Sequence, residues 1–141
     1  MSPREAVTDL LVALNAHDLD GVTARLAGQI TVEIPPMSVH GGGRGEAKNF
    51  FANLLNAFPD LRVTIKRLVV IGDAVTVEVK VEGTQAAAYA GAINQEKHLD
   101  VDEAWRFDIR DGLVVGLEAY WCHQQMLRRL GVKRFDQLAL V

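Results

Sequence analysis

Between Ala74 and Thr84, valines at positions 75, 77, 79 and 81 alternate with Thr76, Glu78, Lys80 and Glu82. Successive side chains of a strand point to opposite faces, so such a segment buries one face and wets the other. A helix would scatter the same four valines around its axis. The chain is thereby committed to an antiparallel sheet with one solvated face, and the rest of the sequence must cover the other.

The neighbouring segments carry the same period. Val63 and Ile65 open a strand before the Gly72-Asp73 turn. Val101, Trp105, Phe107 and Ile109 alternate with Asp100, Asp102, Arg106 and Asp108, and Asp111-Gly112 turns the chain into a partner running from Leu113 to Trp121. Ile30 to Ile34 forms an earlier strand, stopped by Pro35-Pro36.

The cover comes from helices. Ser2-Pro3-Arg4-Glu5 combines a capping serine, a proline suited to the first turn and a glutamate three residues after the cap. Ala6, Val7, Leu10, Leu11 and Leu14 follow at helical spacing. Asn15 to Asp18 breaks this helix, and Asp18 caps a short second one with Leu19, Val22 and Leu26. A glycine-rich loop from Gly41 to Gly45 leads to a third, with Phe50, Phe51, Leu54, Leu55 and Phe58 on its buried side. Met126, Leu127 and Leu130 suit a short closing helix before Gly131. Helices precede a meander without βαβ alternation, so the fold class is α+β and residues 1–141 form one domain.

Composition narrows the function. A net charge of -3 with both signs interspersed argues against nucleic acid as a partner. No apolar run approaches the ~20 residues that span a bilayer. The single cysteine, Cys122, and the charged start Met-Ser-Pro-Arg-Glu lead us to expect a cytoplasmic protein without membrane contact.

The last hairpin decides which side chains face the interior. A three-residue loop at Arg110-Asp111-Gly112 puts residues 103, 105, 107 and 109 on one face with 113, 115, 117, 119 and 121. A two-residue turn would bring Val114, Gly116, Glu118 and Tyr120 beside Trp105 instead. The first register gathers more apolar area, at about 25 cal/mol per Å². It leaves Glu103 as a lone carboxylate on an apolar face, where burial raises its pKa toward that of a neutral-pH acid or base. The competing reading pairs Glu103 with a base at the sheet rim.

Tyr120 and Tyr89 could donate to a developing oxyanion, and His40 could shuttle a proton from its loop. Packing rings and a solvated loop explain the same residues. Cys122 and His123 are neighbours on a strand and point apart, which disfavours a Cys-His dyad. The four histidines lack metal-ligand spacing, and His98, Asp100 and Asp102 read as a solvated strand face, so no metal is expected. The run Gly41-Gly42-Gly43-Arg44-Gly45 lacks the lysine and hydroxyl residue of a phosphate loop.

The order of these segments resembles the SnoaL-like polyketide cyclases and ketosteroid isomerases of the nuclear transport factor 2-like superfamily. The resemblance rests on Leu14-Asn15-Ala16-His17-Asp18-Leu19-Asp20, Ala57-Phe58-Pro59-Asp60-Leu61, Val70-Ile71-Gly72-Asp73-Ala74-Val75, Arg110 to Val115, and Leu127-Arg128-Arg129-Leu130-Gly131. It implies a cone of helices on a strongly curved sheet, a blind apolar pocket, a homodimer and no cofactor. The pocket would take a small apolar molecule between Val32, Ile34, Phe51, Leu55 and Trp105 on one part and Phe107, Leu117, Ala119 and Trp121 on another. Where such relatives carry aspartates, this chain has Ile34, Ala119 and Cys122, which leaves Glu103 as the best candidate acid or base. Two functions remain open: a cofactor-independent cyclase, isomerase, dehydratase or epoxide hydrolase acting on a polyketide- or steroid-like substrate, and a non-catalytic ligand- or protein-binding domain of the same fold.

Overall fold

The computed structural model describes residues 1–139. Helix α1 spans Pro3–Asn15, with the Ser2 hydroxyl accepting from the Glu5 amide at 3.1 Å and donating to the Glu5 carboxylate at 3.1 Å. All five apolar stripe residues of α1 are buried. His17, in the left-handed region at φ 58°, ends this turn, and the Asp18 carboxylate caps α2 (Leu19–Ala24) through the Gly21 amide at 2.9 Å. Leu26 leaves the second helix to which the sequence assigns it and opens β1 (Leu26–Ile34), where it pairs with Val114.

The glycine-rich segment is not all loop. Val39–Gly42 forms a short edge strand, β2, antiparallel to β1 after a 3-10 turn at Pro35–Met37. Glycine removes the side-chain pattern by which a strand is recognised, so β2 is invisible to periodicity. Helix α3 (Arg44–Ala57) follows, its start satisfied by the Glu46 carboxylate accepting from the Gly43 amide at 2.8 Å.

Four long strands complete the sheet: β3 (Arg62–Ile71), β4 (Ala74–Thr84), β5 (His98–Arg110) and β6 (Leu113–Trp121). Their spatial order is β2-β1-β6-β5-β4-β3, antiparallel throughout except for the parallel pair β1 and β6. Val75, Val77, Val79 and Val81 are all completely buried, so the alternation that opens the argument defines the inner face. Helix α4 (His123–Arg129) and a 3-10 turn at Phe135–Gln137 close the fold. N-terminal helices on a curved six-stranded sheet give the expected α+β architecture. Among the described residues, no helix is long and apolar enough to cross a membrane.

Two details of register differ from expectation. The β5–β6 turn has two residues, Asp111 and Gly112, both at positive φ (51° and 75°), which matches the right-handed twist of the flanking strands. An irregularity between Asp108 and Ile109 then absorbs one residue, pairing Ile109 with Val114 but Asp108 with Gly116. Val114 is therefore buried near the turn, in place of Leu113 and Val115. Beyond the bulge Phe107 faces Leu117, Trp105 faces Ala119 and Glu103 faces Trp121, the face the three-residue loop would have produced. Along β3, Ile65 pairs with the buried Val79 yet is partly exposed, because it lines the groove between α1 and β3.

The free edge of β3 is covered locally. The Asn15 side chain donates to the Val63 carbonyl at 2.8 Å and accepts from the Val63 amide at 2.7 Å, standing in for a missing strand.

Candidate acid-base site

Glu103 lies on the inner face of β5, between Val79 of β4 and Trp121 of β6, and is only 3% exposed. The Trp105 indole N–H donates to its Oε1 at 2.9 Å, and Oε2 has no partner among the described residues. Burial pushes its pKa up to about 8, opposed only in part by the Trp105 hydrogen bond. At neutral pH the group is mostly the neutral acid.

Tyr89 is carried by the small-residue stretch before β5. Its amide and carbonyl exchange hydrogen bonds with those of Ala92 at 3.0 and 2.8 Å, closing a turn through Ala90 (φ 52°) and Gly91 (φ 90°). The ring packs edge-on against Phe58, centroids 5.2 Å apart. Among the described residues its hydroxyl is buried without a partner, as Glu103 Oε2 is. Burial raises the phenol pKa well above its usual value, and the Glu103 charge raises it further. The two groups thus share an electrostatic environment. Buried polar atoms are nearly always paired, which makes two orphans within one apolar interior unusual.

Around them the rings form a cluster. Phe50 meets Trp105 edge-on at 5.5 Å and stacks on Trp121 at 6.1 Å, while Phe51 meets Trp105 at 6.0 Å. Of the expected pocket residues, Val32, Ile34, Phe51, Trp105, Phe107, Leu117, Ala119 and Trp121 are buried in this interior, and Leu55 is half-buried. Phe50 belongs with them, although the sequence reading places it only on the covered side of α3.

The structure brings Glu103 and Tyr89 into one interior and leaves the other two candidates elsewhere. Tyr120 is 54% exposed, on the outer face of the sheet opposite Ala104. It lines a groove of about 400 Å³ with Lys66, Glu78 and Asp102, to which Glu103, Ala104 and Trp121 also contribute, although the Glu103 side chain is buried on the inner face. The bulge restores the register that sends even-numbered residues of β6 outward, so Tyr120 cannot face Glu103 from within. His40 lies on exposed β2 and pairs with Glu33 at 3.1 Å. The Glu33 carboxylate also accepts from the Gly41 amide, and this backbone bond, with His40, lowers its pKa. Two amides of the glycine run, those of Gly41 and Gly43, are thus taken by the chain's own carboxylates.

On the outer face Asp100 pairs with Lys80 at 3.3 Å and Asp102 with Lys66 at 2.9 Å. His98 stands 3.4 Å from the Thr84 hydroxyl. A separate groove of about 610 Å³ between α1 and β3, lined by Thr8, Leu11, Asn15, Arg62 and Thr64, sits at the β3 edge of the sheet, separated from β5 by β4. Among the described residues, none of its ionisable groups is buried.

One neighbour of the site was not selected by sequence. Strand β6 ends at Trp121, and the chain turns into α4, so strand alternation no longer governs His123. Its Nδ1 accepts from the Trp121 indole N–H at 3.1 Å.

The SnoaL-like domain family matches residues 7–117. No curated protein sequence matches the chain. Among solved structures, AclR from Streptomyces galilaeus, a proposed hydroxylase, superposes with a TM-score of 0.80 at 20% identity over 92% of this chain and 80% of its own. IdmH from Streptomyces antibioticus, a proposed polyketide cyclase, gives 0.79 at 21% identity over 94% and 100%. A Catenulispora acidiphila protein with a ketosteroid isomerase-like fold gives 0.75 at 20% identity over 94% and 96%. At these identities the likeness is one of fold.

Proposed function

The chain belongs to the SnoaL-like family, and from that premise we propose that it is a cofactor-independent acid-base enzyme acting on a small apolar polyketide- or steroid-like ketone. The observation that carries this reading is the pair of buried, unpartnered polar atoms, Glu103 Oε2 and Tyr89 Oη, in one ring-lined interior. The ionised Glu103 carboxylate takes a proton from the carbon alpha to the substrate carbonyl. The C–H electron pair moves into the C–C bond, and the carbonyl oxygen becomes an enolate oxygen that accepts from the Tyr89 hydroxyl. The neutral Glu103 then returns its proton, to the same carbon, to a conjugated one, or to the alkoxide formed when the enolate attacks a second carbonyl. An apolar, water-poor setting strengthens the phenol hydrogen bond and makes the carboxylate a stronger base. Substrate enters by displacing Trp121, at 8% the most exposed of the clustered rings.

A second reading, a non-catalytic binding or interaction domain, is favoured by the way Phe50, Phe51, Trp105 and Trp121 occupy the interior as packing. The two separate in deuterated water. Fused-ring ketones incubated with the protein should gain deuterium alpha to the carbonyl, and Glu103→Gln should lower that exchange by about 10²-fold or more while the protein stays folded. Thermal stabilisation by such ketones with no exchange would favour the binding domain.

A further inference from the structure

We infer that His123 is a positioning residue, the latch that holds Trp121 closed beside Glu103 and thereby sets how readily an apolar molecule enters the interior. The role in entry rests on the function proposed above, whereas the latch itself does not.

The two tryptophans use their indole protons differently. Trp105, completely buried, donates to Glu103 Oε1 at 2.9 Å. Trp121 donates to His123 Nδ1 at 3.1 Å, the one hydrogen bond of its indole among the described residues. Moving Trp105 would strip Glu103 of its donor, whereas displacing Trp121 unpairs only His123. Trp121 is the last residue of β6, and its partner across the ladder is Glu103. Directly paired side chains on one face of such a ladder stand about 5 Å apart at Cβ, so the indole stands next to the carboxyl.

Two contacts hold that indole. Phe50 stacks on its face, with centroids 6.1 Å apart and planes 16° from parallel. Phe50 is itself packed edge-on against Phe51 and Trp105. Ring packing changes gradually as one ring slides over another, whereas a hydrogen bond weakens steeply once it bends. The His123 bond is therefore the contact that fixes how the indole is turned. An indole nitrogen only donates, so Nδ1 is the bare nitrogen of a neutral ring whose proton stands on Nε2. Burial favours this neutral form, lowering the pKa of the half-buried ring. His123 is the first residue of α4, so the helix start, not the sheet, aims its ring back at Trp121.

Nδ1 is bonded to the γ carbon, as the amide oxygen of asparagine is. His123→Asn therefore keeps an acceptor near the same place, and His123→Leu keeps only bulk. In the leucine variant, hydrogen exchange of the Trp121 indole proton should accelerate by about tenfold, the effect of losing one hydrogen bond of ordinary strength. The Trp105 indole proton should exchange as in wild type. His123→Asn should return the Trp121 rate to within about threefold of wild type. An unchanged Trp121 rate, equal acceleration of both indoles, or failure of asparagine to restore the rate would overturn the latch. In the unmodified protein, nitrogen-15 shifts of the histidine should show a bare Nδ1 and a protonated Nε2. A proton on Nδ1 would overturn the latch without any variant.

The role in entry is read with β-tetralone, a fused-ring ketone. A molecule that displaces Trp121 binds only the open population, so its apparent Kd should fall by about tenfold in His123→Leu and recover in His123→Asn. Unchanged or weaker binding in the leucine variant would overturn control of entry. Where neither protein binds β-tetralone, that role falls together with the function proposed above, and the indole rates alone decide the latch.

Discussion

Trp105 donates its indole proton to Glu103, two residues back along the same strand, and occupies one carboxyl oxygen while the other stays free. A single neutral donor is weak compensation for a buried anion. The ion pairs of β5 lie on its outer face, where Lys66 and Lys80 meet Asp102 and Asp100. The inner carboxyl is accordingly a weak acid, and this governs how stability and rate respond to pH.

The folded protein holds a proton on Glu103 up to pH about 8, whereas the unfolded chain releases it near the ordinary value of 4.5. The folded state therefore binds more protons across that window, and stability falls as pH rises through it, levelling off above the folded pKa. Urea unfolding should show a loss of about 1 kcal/mol or more between pH 7 and pH 9. Glu103→Gln should abolish that loss, making the variant more stable than wild type at pH 9.

If Glu103 acts as the base, exchange alpha to a ketone should climb with pH as the carboxylate forms. The rise should approach tenfold per pH unit below the pKa and flatten above pH about 8. A rate that instead declines over the same range would assign the carboxyl to proton donation.

Tyr89→Phe removes a hydroxyl that is buried without a partner. Stability should stay level or rise by about 1 kcal/mol, since an unsatisfied group is lost along with no hydrogen bond. Deuterium exchange should nonetheless drop by about 10²-fold, the usual effect of deleting one oxyanion donor. Thermal melting and the exchange assay on one preparation measure both.

Asn15→Leu deletes both hydrogen bonds to Val63 and uncovers part of the β3 edge. A destabilisation of about 1–3 kcal/mol is expected. Light scattering should also reveal concentration-dependent association absent from wild type, because a bare edge pairs with other strands.

What the sequence makes legible follows the strength of its periods. The capped start of α1 and the valines of β4 are readable because each residue of the pattern carries the same message. Glu103 is readable as a carboxylate out of step with its apolar neighbours at 101, 105 and 107. β2 is not, because Gly41 and Gly42 offer no pattern, and the bulge at Asp108 is not, because a register slip leaves no local mark. Tyr120 illustrates the resulting error: its chemistry suits an oxyanion donor, but only pairing partners decide its face. His123 escapes for a different reason, since its hydrogen bond from Trp121 forms where the strand gives way to α4 and alternation no longer applies.

The parallel pairing of Val32 with Leu117 has an implication for how the protein is made. A strand emitted early by the ribosome must wait for one of the last before its hydrogen bonds can form. Until then β1 and β2 can be no more than a short ribbon, and two-stranded ribbons are marginal in water. Closing so long a loop is slow, so the nascent chain passes through a period with its N-terminal helices made and their apolar stripes uncovered. The meander from β3 onward pairs strands that are neighbours in sequence, and its completion at β6 supplies the strand with which β1 pairs.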